Sequence, residues 1–468
     1  MPRPSEQETI EYPAPLLPPK PGGLSWRDYL ITQLRIAGEI EHALMVQYLF
    51  AAYSLGGPGA AEHPDVVRRW RDQLLTIARE EMGHLITVQN LLLLLGGPVS
   101  FERHPHPWSS PFYPFQFNLD GLSLKSLASY VYAEMPSRIS EGRHREVRRK
   151  VIALLGKDTA PEVGLLYGRI INLMADRKEV PDSAFDVNAY RYQVTWDEFG
   201  RGYRPVNQSP LASETNADPP VDKRAHVIVA QVVTRTDALA ALKEVAGQGE
   251  AEHYKLGDQS EPSHFDRFAD MFAQFDGIVA KDPHWSPSRP VARNPSADQL
   301  EVSSADTTPI KAPASRTWAR LFNFRYRILL LLLTYIYRIP RQPASRLTSL
   351  RAQVLARIFG EMYHMKALAG ILVQMPLDDP RSEKRAGPPF QLPFSLALPH
   401  SEENFWRSQL GLLDASAALV KSLQDDEEGR SPPEGLRFLA ALTEIDRDSH
   451  VWIERILSAG VFGWGADT

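Results

Sequence analysis

The 468-residue sequence contains no cysteine. This absence excludes disulfides, thiolate zinc sites, iron–sulfur clusters and a cysteine nucleophile, so a bound metal ion would need histidine and carboxylate ligands. Neither a GxGxxG motif nor a P-loop is present. The formal net charge of −5 is small for this length, and no nucleic-acid partner is expected.

Long apolar runs are also missing. The most apolar run, Ile328 to Tyr337, has ten residues and is flanked by arginines. It is too short to span a bilayer, so we expect a buried core helix there and no membrane span. The Pro-rich first residues contain no apolar signal core. We therefore expect the protein to be cytoplasmic.

Strand-like alternation is scarce, whereas helical periodicity recurs along the chain. We therefore predict an all-α fold, in which a four-helix bundle is elaborated with extra helices and long Pro-rich loops. The predicted helices cover residues 25–54, 64–96, 122–134, 160–175, 236–253, 261–280, 317–338, 347–375, 402–424 and 434–459.

Composition suggests a division of the chain into four parts. Residues 1–24 form a Pro-rich N-terminal segment, and residues 25–282 form the predicted metal-binding bundle. Residues 283–316 are rich in proline and serine and are interpreted as a long loop or a linker. Residues 317–468 form a C-terminal helical part that we expect to pack on the bundle.

Carboxylates interrupt the apolar stripes of the first two long helices. Glu41 lies on the stripe that contains Leu34 and Tyr48. Glu81 and His84 interrupt the second stripe one turn apart, so both could reach one metal ion or bridge to another. A buried carboxylate is costly unless it is neutralised, which favours a metal ion. A buried arginine beside Glu81, or a satisfied core histidine, would be the structural alternative.

A third group repeats this chemistry further along the chain. Glu250 ends an apolar stripe, and Glu261 and His264 open the next one. The order Glu, E-x-x-H, Glu, E-x-x-H is the ligand pattern of dinuclear carboxylate sites in four-helix bundles. Residues 250–253 are themselves an E-x-x-H, so His253 competes with His264 for the ligand role.

Other acidic and histidine residues receive a different interpretation. Glu80 is rotated off the apolar stripe and would face solvent or support a ligand. Glu361 and His364 form a further E-x-x-H motif, which we interpret as structural or as support for a ligand. Glu403 and His450, near the C-terminus, are expected at the surface.

Several stretches resemble the ferritin-like domain of the iminophenyl-pyruvate dimer synthase type, found in violacein and rebeccamycin pathway enzymes that couple two tryptophan-derived imines. They are LRIAGEIEHALMVQYLFAAYSL, IAREEMGHLITVQNLLLLLGGPVSF, YAEMP, GQGEAEH followed by SHFDRF, and LFNFRYRILLLLL. The resemblance implies a ferritin-like bundle and a role in secondary metabolism. It also implies metal-ligand roles for six residues: Glu41, Glu81, His84, Glu250, Glu261 and His264.

The ligand pattern predicts a non-haem dinuclear metal oxidase or oxygenase. We expect two iron ions, with manganese or zinc as alternatives, and neither haem nor an iron–sulfur cluster. Dioxygen and a small aromatic or amino-acid-derived metabolite would be the partners. No catalytic residue beyond the metal ligands is assigned. The candidate residues of a substrate pocket, each of which could also be plain core, are Met45, Tyr48, Tyr254, Phe265 and Phe268.

Two other functions remain open at this point. One is an imine-coupling enzyme of the dimer-synthase type. The other is a non-catalytic ferritin-like metal-binding protein, although storage proteins of that kind are short and assemble into cages. The oligomeric state is also open, and a homo-oligomer is one of the options.

Overall fold

A computed structural model describes most of the chain. The described residues are 22–105, 116–136, 143–156, 163–199, 226–250, 254–256, 259–298, 306–341, 349–379, 381, 383–392, 395–426 and 431–464. Only the backbone is described for residues 143, 163–165, 250, 254–256 and 259–261.

Helices account for most of the described residues, which confirms the predicted all-α class. They are α1 (Trp26–Ser54), α2 (Pro64–Leu94), α3 (Leu124–Ala133), α4 (Arg143–Leu155), α5 (Val163–Ala175), α6 (Trp196–Phe199), α7 (Arg235–Glu250), α8 (His264–Val279), α9 (Pro313–Ile336), α10 (Leu350–Leu372), α11 (Glu402–Gln424) and α12 (Pro433–Ala459). Two small sheets are present: β1 (Tyr254–Leu256) pairs antiparallel with β2 (Gln259–Glu261), and β3 (Pro295–Ser296) pairs parallel with β4 (Thr308–Pro309).

The two longest helices, α2 and α1, form the centre of the bundle. The Arg27 side chain, at the start of α1, donates to the Leu95 carbonyl just after α2, with an N–O distance of 2.8 Å. At the other end, Arg71 donates to the Leu55 carbonyl over 3.0 Å. The helices are therefore antiparallel. Ser25 caps α1 by accepting from the Asp28 amide, which satisfies one of the free N–H groups of the first turn.

Shorter helices surround this pair. Helix α8 packs on α2 and α3, while α5 packs on α1 and α7. A capping box between Ser263 and Asp266 begins α8, so His264 is its first helical residue. Helix α3 ends at Ala133, with Glu134 as its C-cap. The bundle thus brings two helix ends close to the middle of α1 and α2.

Helices α9 to α12 form a second group, and α9 also contacts the bundle. The Tyr326 hydroxyl lies within hydrogen-bond distance of His42 Nε2 on α1, and the Tyr337 hydroxyl donates to the Ile86 carbonyl over 3.3 Å. The apolar run Ile328 to Tyr337 is almost fully buried, as predicted. Among the described residues, no helix has the length and hydropathy that a membrane span requires.

Arg325 on α9 lies at the centre of a buried ion network. Its Nε is 2.7 Å from Glu361 Oε2 on α10, and its Nη1 is 2.7 Å from Asp446 Oδ1 on α12. His364 Nδ1 lies 3.2 Å from Nη2 of the same arginine. The network joins three helices, in agreement with the structural interpretation of Glu361 and His364. Glu403 pairs with a neighbouring arginine at the surface, also as expected.

The predicted helices differ from the observed ones in several places. Helices α4 and α6 were not predicted. The predicted helix 261–280 begins three residues later, because Ser263 is its N-cap and Glu261 belongs to β2. The described part of the predicted loop or linker 283–316 is packed against the bundle: Trp285 and Asn294 are buried there.

Candidate metal centre

Three of the predicted ligands meet between α1 and α2. His84 Nδ1 lies 2.9 Å from Glu81 Oε2 and 3.3 Å from Glu41 Oε2. All three side chains are buried, with at most 3% of their surface exposed. The i, i+3 spacing on α2 places Glu81 and His84 on one face, opposite Glu41 on α1.

A second group adjoins the first and shares Glu81 with it. His264 Nδ1 lies 2.8 Å from Glu81 Oε1 and 3.8 Å from Glu134 Oε1. In each group, the three candidate ligand atoms lie within 4.8 Å of one another. Glu81 therefore presents one carboxylate oxygen to each group. Two adjacent sites with a shared carboxylate are the arrangement that the dinuclear ligand pattern predicts.

The tautomers of both histidines follow from their outer partners. The ring of His84 lies nearly parallel to that of His264, with centroids 5.4 Å apart. His84 Nε2 is 2.8 Å from Gln248 Oε1, and the amide nitrogen of Gln248 donates to the His226 carbonyl, so Oε1 must accept. His264 Nε2 is 3.2 Å from the Glu80 carboxylate. Both Nε2 atoms thus carry the hydrogen, and in the neutral rings both Nδ1 lone pairs face the carboxylates.

The donor atoms fit a pair of divalent metal ions. His264 Nδ1 and Glu81 Oε1 are fully buried, and neither has a hydrogen-bond partner among the described residues although they lie 2.8 Å apart. Buried polar atoms normally have partners. Carboxylate oxygens and imidazole nitrogens that converge in this way suit iron, manganese or zinc.

The buried carboxylates of the cluster require positive charge nearby. Burial raises the pKa of Glu41 to about 7, and the nearby Glu81 carboxylate adds to this effect. Burial alone would lower the pKa of His84, but Glu81 and Glu41 raise it to about 10. The pKa of His264 is also raised, because the carboxylates around it outweigh its burial. Protons or metal cations can supply the charge that these buried carboxylates require.

Two buried tyrosines hold the outer carboxylates. The Tyr48 hydroxyl donates to Glu134 Oε1 over 2.6 Å, and the Tyr167 hydroxyl donates to Glu41 Oε1. Each phenol occupies one lone-pair direction of its carboxylate and so fixes the orientation of that group. Tyr48 holds the same Glu134 oxygen that faces His264, whereas Tyr167 holds the Glu41 oxygen that does not face His84.

The predicted ligands fall into two classes in the structure. Glu41, Glu81, His84 and His264 are brought together as predicted. The side chains of Glu250 and Glu261 lie outside the described residues, as does His253. Glu261 is in strand β2, so the argument that it shares a helical face with His264 does not hold.

Glu134, in the YAEMP stretch, also faces the candidate centre and was not among the predicted ligands. Glu134 is 3% exposed and lies beside the end of α7: a Cβ atom added at Gly249 would be 3.3 Å from Glu134 Oε2. The signal that could have found it is an acidic residue directly after an apolar helix, without a basic neighbour in sequence. The amide of Gln248 was missed as well.

Two positions were predicted for Glu80: facing solvent or supporting a ligand. Its side chain is buried, so the first is wrong, and it supports the candidate ligand His264. One oxygen accepts from the His226 amide over 2.8 Å, and the other faces His264 and Arg267. Burial would raise the pKa of Glu80, but Arg267 and His264 lower it to about 2.

Four of the five proposed pocket residues have described side chains, and these pack as core. Tyr48 and Phe268 are fully buried, with ring centroids 4.9 Å apart. Phe265 is also buried and packs edge-on against His144. Met45 is partly buried. The side chain of the fifth predicted residue, Tyr254, lies outside the described residues.

Comparison with known proteins identifies the family. The ferritin-like family model matches residues 34–273, just over half of the chain. The chain belongs to the ferritin-like family. This stretch contains the five residues of the candidate centre, Glu41, Glu81, His84, Glu134 and His264, so the ferritin-like assignment and the geometry concern the same part of the molecule.

Two curated relatives are similar to this ferritin-like chain. Dichlorochromopyrrolate synthase from Lentzea aerocolonigenes is 28% identical over 401 residues, covering 79% of the chain and 36% of the relative. The 2-imino-3-(indol-3-yl)propanoate dimerase from Chromobacterium violaceum is 26% identical over 324 residues, covering 62% of the chain and 28% of the relative. The chain thus spans about a third of the length of these relatives. A crystal structure of a ferritin-like protein from Caulobacter vibrioides aligns with 76% of the chain and 98% of its own, at 16% identity and a low TM-score of 0.39.

Proposed function

We propose that the chain is a metal-dependent enzyme of secondary metabolism that uses two metal ions, iron first among them, on a small amino-acid-derived or aromatic substrate. The observation that supports this most directly is the shared carboxylate: Glu81 faces His84 with one oxygen and His264 with the other. Glu41 and Glu134 complete the two sides.

The proposed division of roles follows the geometry of the side chains. Glu41, Glu81 and His84 would hold one ion, and Glu81, Glu134 and His264 would hold the other. Iron, when bound, supplies redox chemistry with dioxygen. The protein keeps the ligands dry, since all five are nearly fully buried, and it fixes their orientation through Tyr48, Tyr167 and the outer partners of the histidines.

The relatives support an enzyme and indicate the chemical class of its substrate. One is named for the synthesis of dichlorochromopyrrolate and the other for the dimerisation of 2-imino-3-(indol-3-yl)propanoate, an imino acid with an aromatic ring. Their names also favour a second candidate function, which is the coupling of two imino-acid molecules.

Metal analysis of purified protein tests the first part of the proposal. We expect about two iron or manganese ions per chain, with much lower content in Glu81→Ala than in single-side variants such as His84→Ala and Glu134→Ala, because among the described side chains only Glu81 faces both sides. Glu403→Ala, at an exposed ion pair, is the matched control and should retain the full content. Absence of metal from the parent protein after reconstitution with ferrous ion would contradict the proposal.

Substrate screens then separate the two candidate functions. An oxidase or oxygenase would take up dioxygen in the presence of aromatic amino acids or their keto acids. An imine-coupling enzyme would form dimers from imino acids generated in place by an amino-acid oxidase. Dimer formation without dioxygen uptake by this chain would favour the second candidate over the first.

A further inference from the structure

The two sides of the candidate centre differ in the groups behind their histidines. His84 donates through Nε2 to Gln248, a neutral amide, over 2.8 Å. His264 donates through Nε2 to Glu80, a carboxylate, at 3.2 Å. Each side also has one outer glutamate that a tyrosine hydroxyl holds, and both sides share Glu81.

This difference changes the basicity of the coordinating nitrogen. A carboxylate that accepts the hydrogen of one imidazole nitrogen increases electron density on the other and strengthens its bond to a metal, whereas a neutral amide does so much less. The Glu80 carboxylate is itself held by the Arg267 guanidinium and by the His226 amide, so it faces His264 in a fixed position. Its partner Arg267 is only slightly exposed, so solvent screens the group little.

Gln248 is also held in place, so the neutral partner of His84 has a fixed position. Its amide nitrogen donates to the His226 carbonyl over 2.9 Å. The amide of the same His226 residue donates to Glu80 over 2.8 Å. One backbone position therefore orients both outer partners, with its N–H toward the charged one and its carbonyl toward the neutral one.

We infer that the two metal positions are unequal: the position of Glu134 and His264 binds its ion more tightly than the position of Glu41 and His84, and Glu80 and Gln248 set this order. The inference rests on the proposed dinuclear metal centre. It adds that one ion stays in place while the other exchanges first.

Two single-side variants compare the positions separately. Glu41→Ala leaves the side of Glu134 and His264, and Glu134→Ala leaves the side of Glu41 and His84. Both would be prepared metal-free and titrated with Mn²⁺, with free Mn²⁺ followed by electron paramagnetic resonance. We expect Glu41→Ala to bind its ion about 10- to 100-fold more tightly than Glu134→Ala, the usual effect of an outer hydrogen-bond partner. Equal affinities, or the reverse order, would overturn the inference.

Exchange of the outer partners shows whether they cause the difference. Added to Glu41→Ala, the change Glu80→Gln should weaken Mn²⁺ binding by about 10-fold or more. Added to Glu134→Ala, the change Gln248→Glu should strengthen it. The structural costs differ: Glu80→Gln weakens the ion pair with Arg267, and Gln248→Glu loses the hydrogen bond to the His226 carbonyl. Circular dichroism confirms that each variant is folded.

The parent protein distinguishes failure of the inference from failure of the proposed function. If the parent binds no Mn²⁺ and no ferrous ion, the dinuclear centre itself is wrong. If the parent binds two ions but Glu80→Gln leaves the affinity of the first unchanged, the centre stands and the inference fails. This second measurement decides the question even where a single-side variant does not fold.

Discussion

Gly83 lies on α2 between Met82 and His84. Because it has no side chain, the segment around Ile228 can lie close to α2 and position the outer groups of the candidate centre. A Cβ atom added at Gly83 would be 2.6 Å from the Ile228 carbonyl oxygen and 2.9 Å from the Ile228 nitrogen. Optimal contacts between heavy atoms are about 3.5 Å or longer, so in Gly83→Ala the segment around Ile228 must retreat by about 1 Å.

Such a retreat disturbs hydrogen bonds that tie this segment to α2. The Thr87 hydroxyl donates to the Ile228 carbonyl over 3.0 Å and accepts from the Ala230 amide over 3.0 Å, and Asn90 donates to the Ala230 carbonyl over 2.8 Å. Loss of one buried hydrogen bond costs about 1–3 kcal/mol, and overpacking costs a similar amount. The higher helix propensity of alanine offsets about 1 kcal/mol of this destabilisation. We expect a net destabilisation of about 3 kcal/mol.

Urea denaturation followed by far-UV circular dichroism measures this change in the free energy of unfolding. Gly411→Ala is the matched control, because Gly411 lies on the exposed face of α11 and an added Cβ meets nothing within 4 Å. The control should be more stable than the parent, by up to about 1 kcal/mol. A Gly83→Ala protein with a urea midpoint at or above that of the parent would refute the reasoning.

Two further predictions concern the buried ion pair of Arg325 and a hydrogen bond at the candidate centre. Glu361→Gln, which leaves Arg325 with less compensating charge in the interior, should lower the free energy of unfolding by about 3 kcal/mol, whereas Glu403→Gln at the surface should change it by less than about 1 kcal/mol. Both are measured by urea denaturation. Tyr48→Phe should keep the fold but loosen Glu134, so its Mn²⁺ affinity should fall; an affinity equal to that of the parent would show that the phenol does not orient the carboxylate.

Periodicity predicts most of this fold because most of its helices are amphipathic. The bundle helices and α9 to α12 were recognised from apolar residues that recur every three or four positions. Helix α4 was missed, since RHREVRRKVIALL is rich in arginine and its burial depends on α3 and α8 rather than on its own composition. The short helix α6 is below the length at which a period can be recognised.

The periodicity of apolar residues also explains which residues of the candidate site could be predicted. Glu41, Glu81 and His84 lie in the middle of long helices, where a polar residue on an apolar stripe stands out. Glu134 lies one residue beyond the end of α3, where the periodic pattern stops. The outer partners could not be predicted at all: Gln248 is 164 residues from His84 in sequence, and only the fold brings them together.

The positions of the ligands along their helices explain why one side of the centre needs stronger outer support. On the side of Glu41 and His84, the backbone is fixed by the interiors of helices of 29 and 31 residues. On the other side, Glu134 is a C-cap and His264 is a first helical residue, where the backbone has fewer intrahelical hydrogen bonds. The Ser263 capping box, Tyr48, and Glu80 with its arginine compensate for this freedom. A charged partner behind His264 therefore both orients that ligand and strengthens its bond to a metal, whereas His84, already held by α2, requires only a neutral amide.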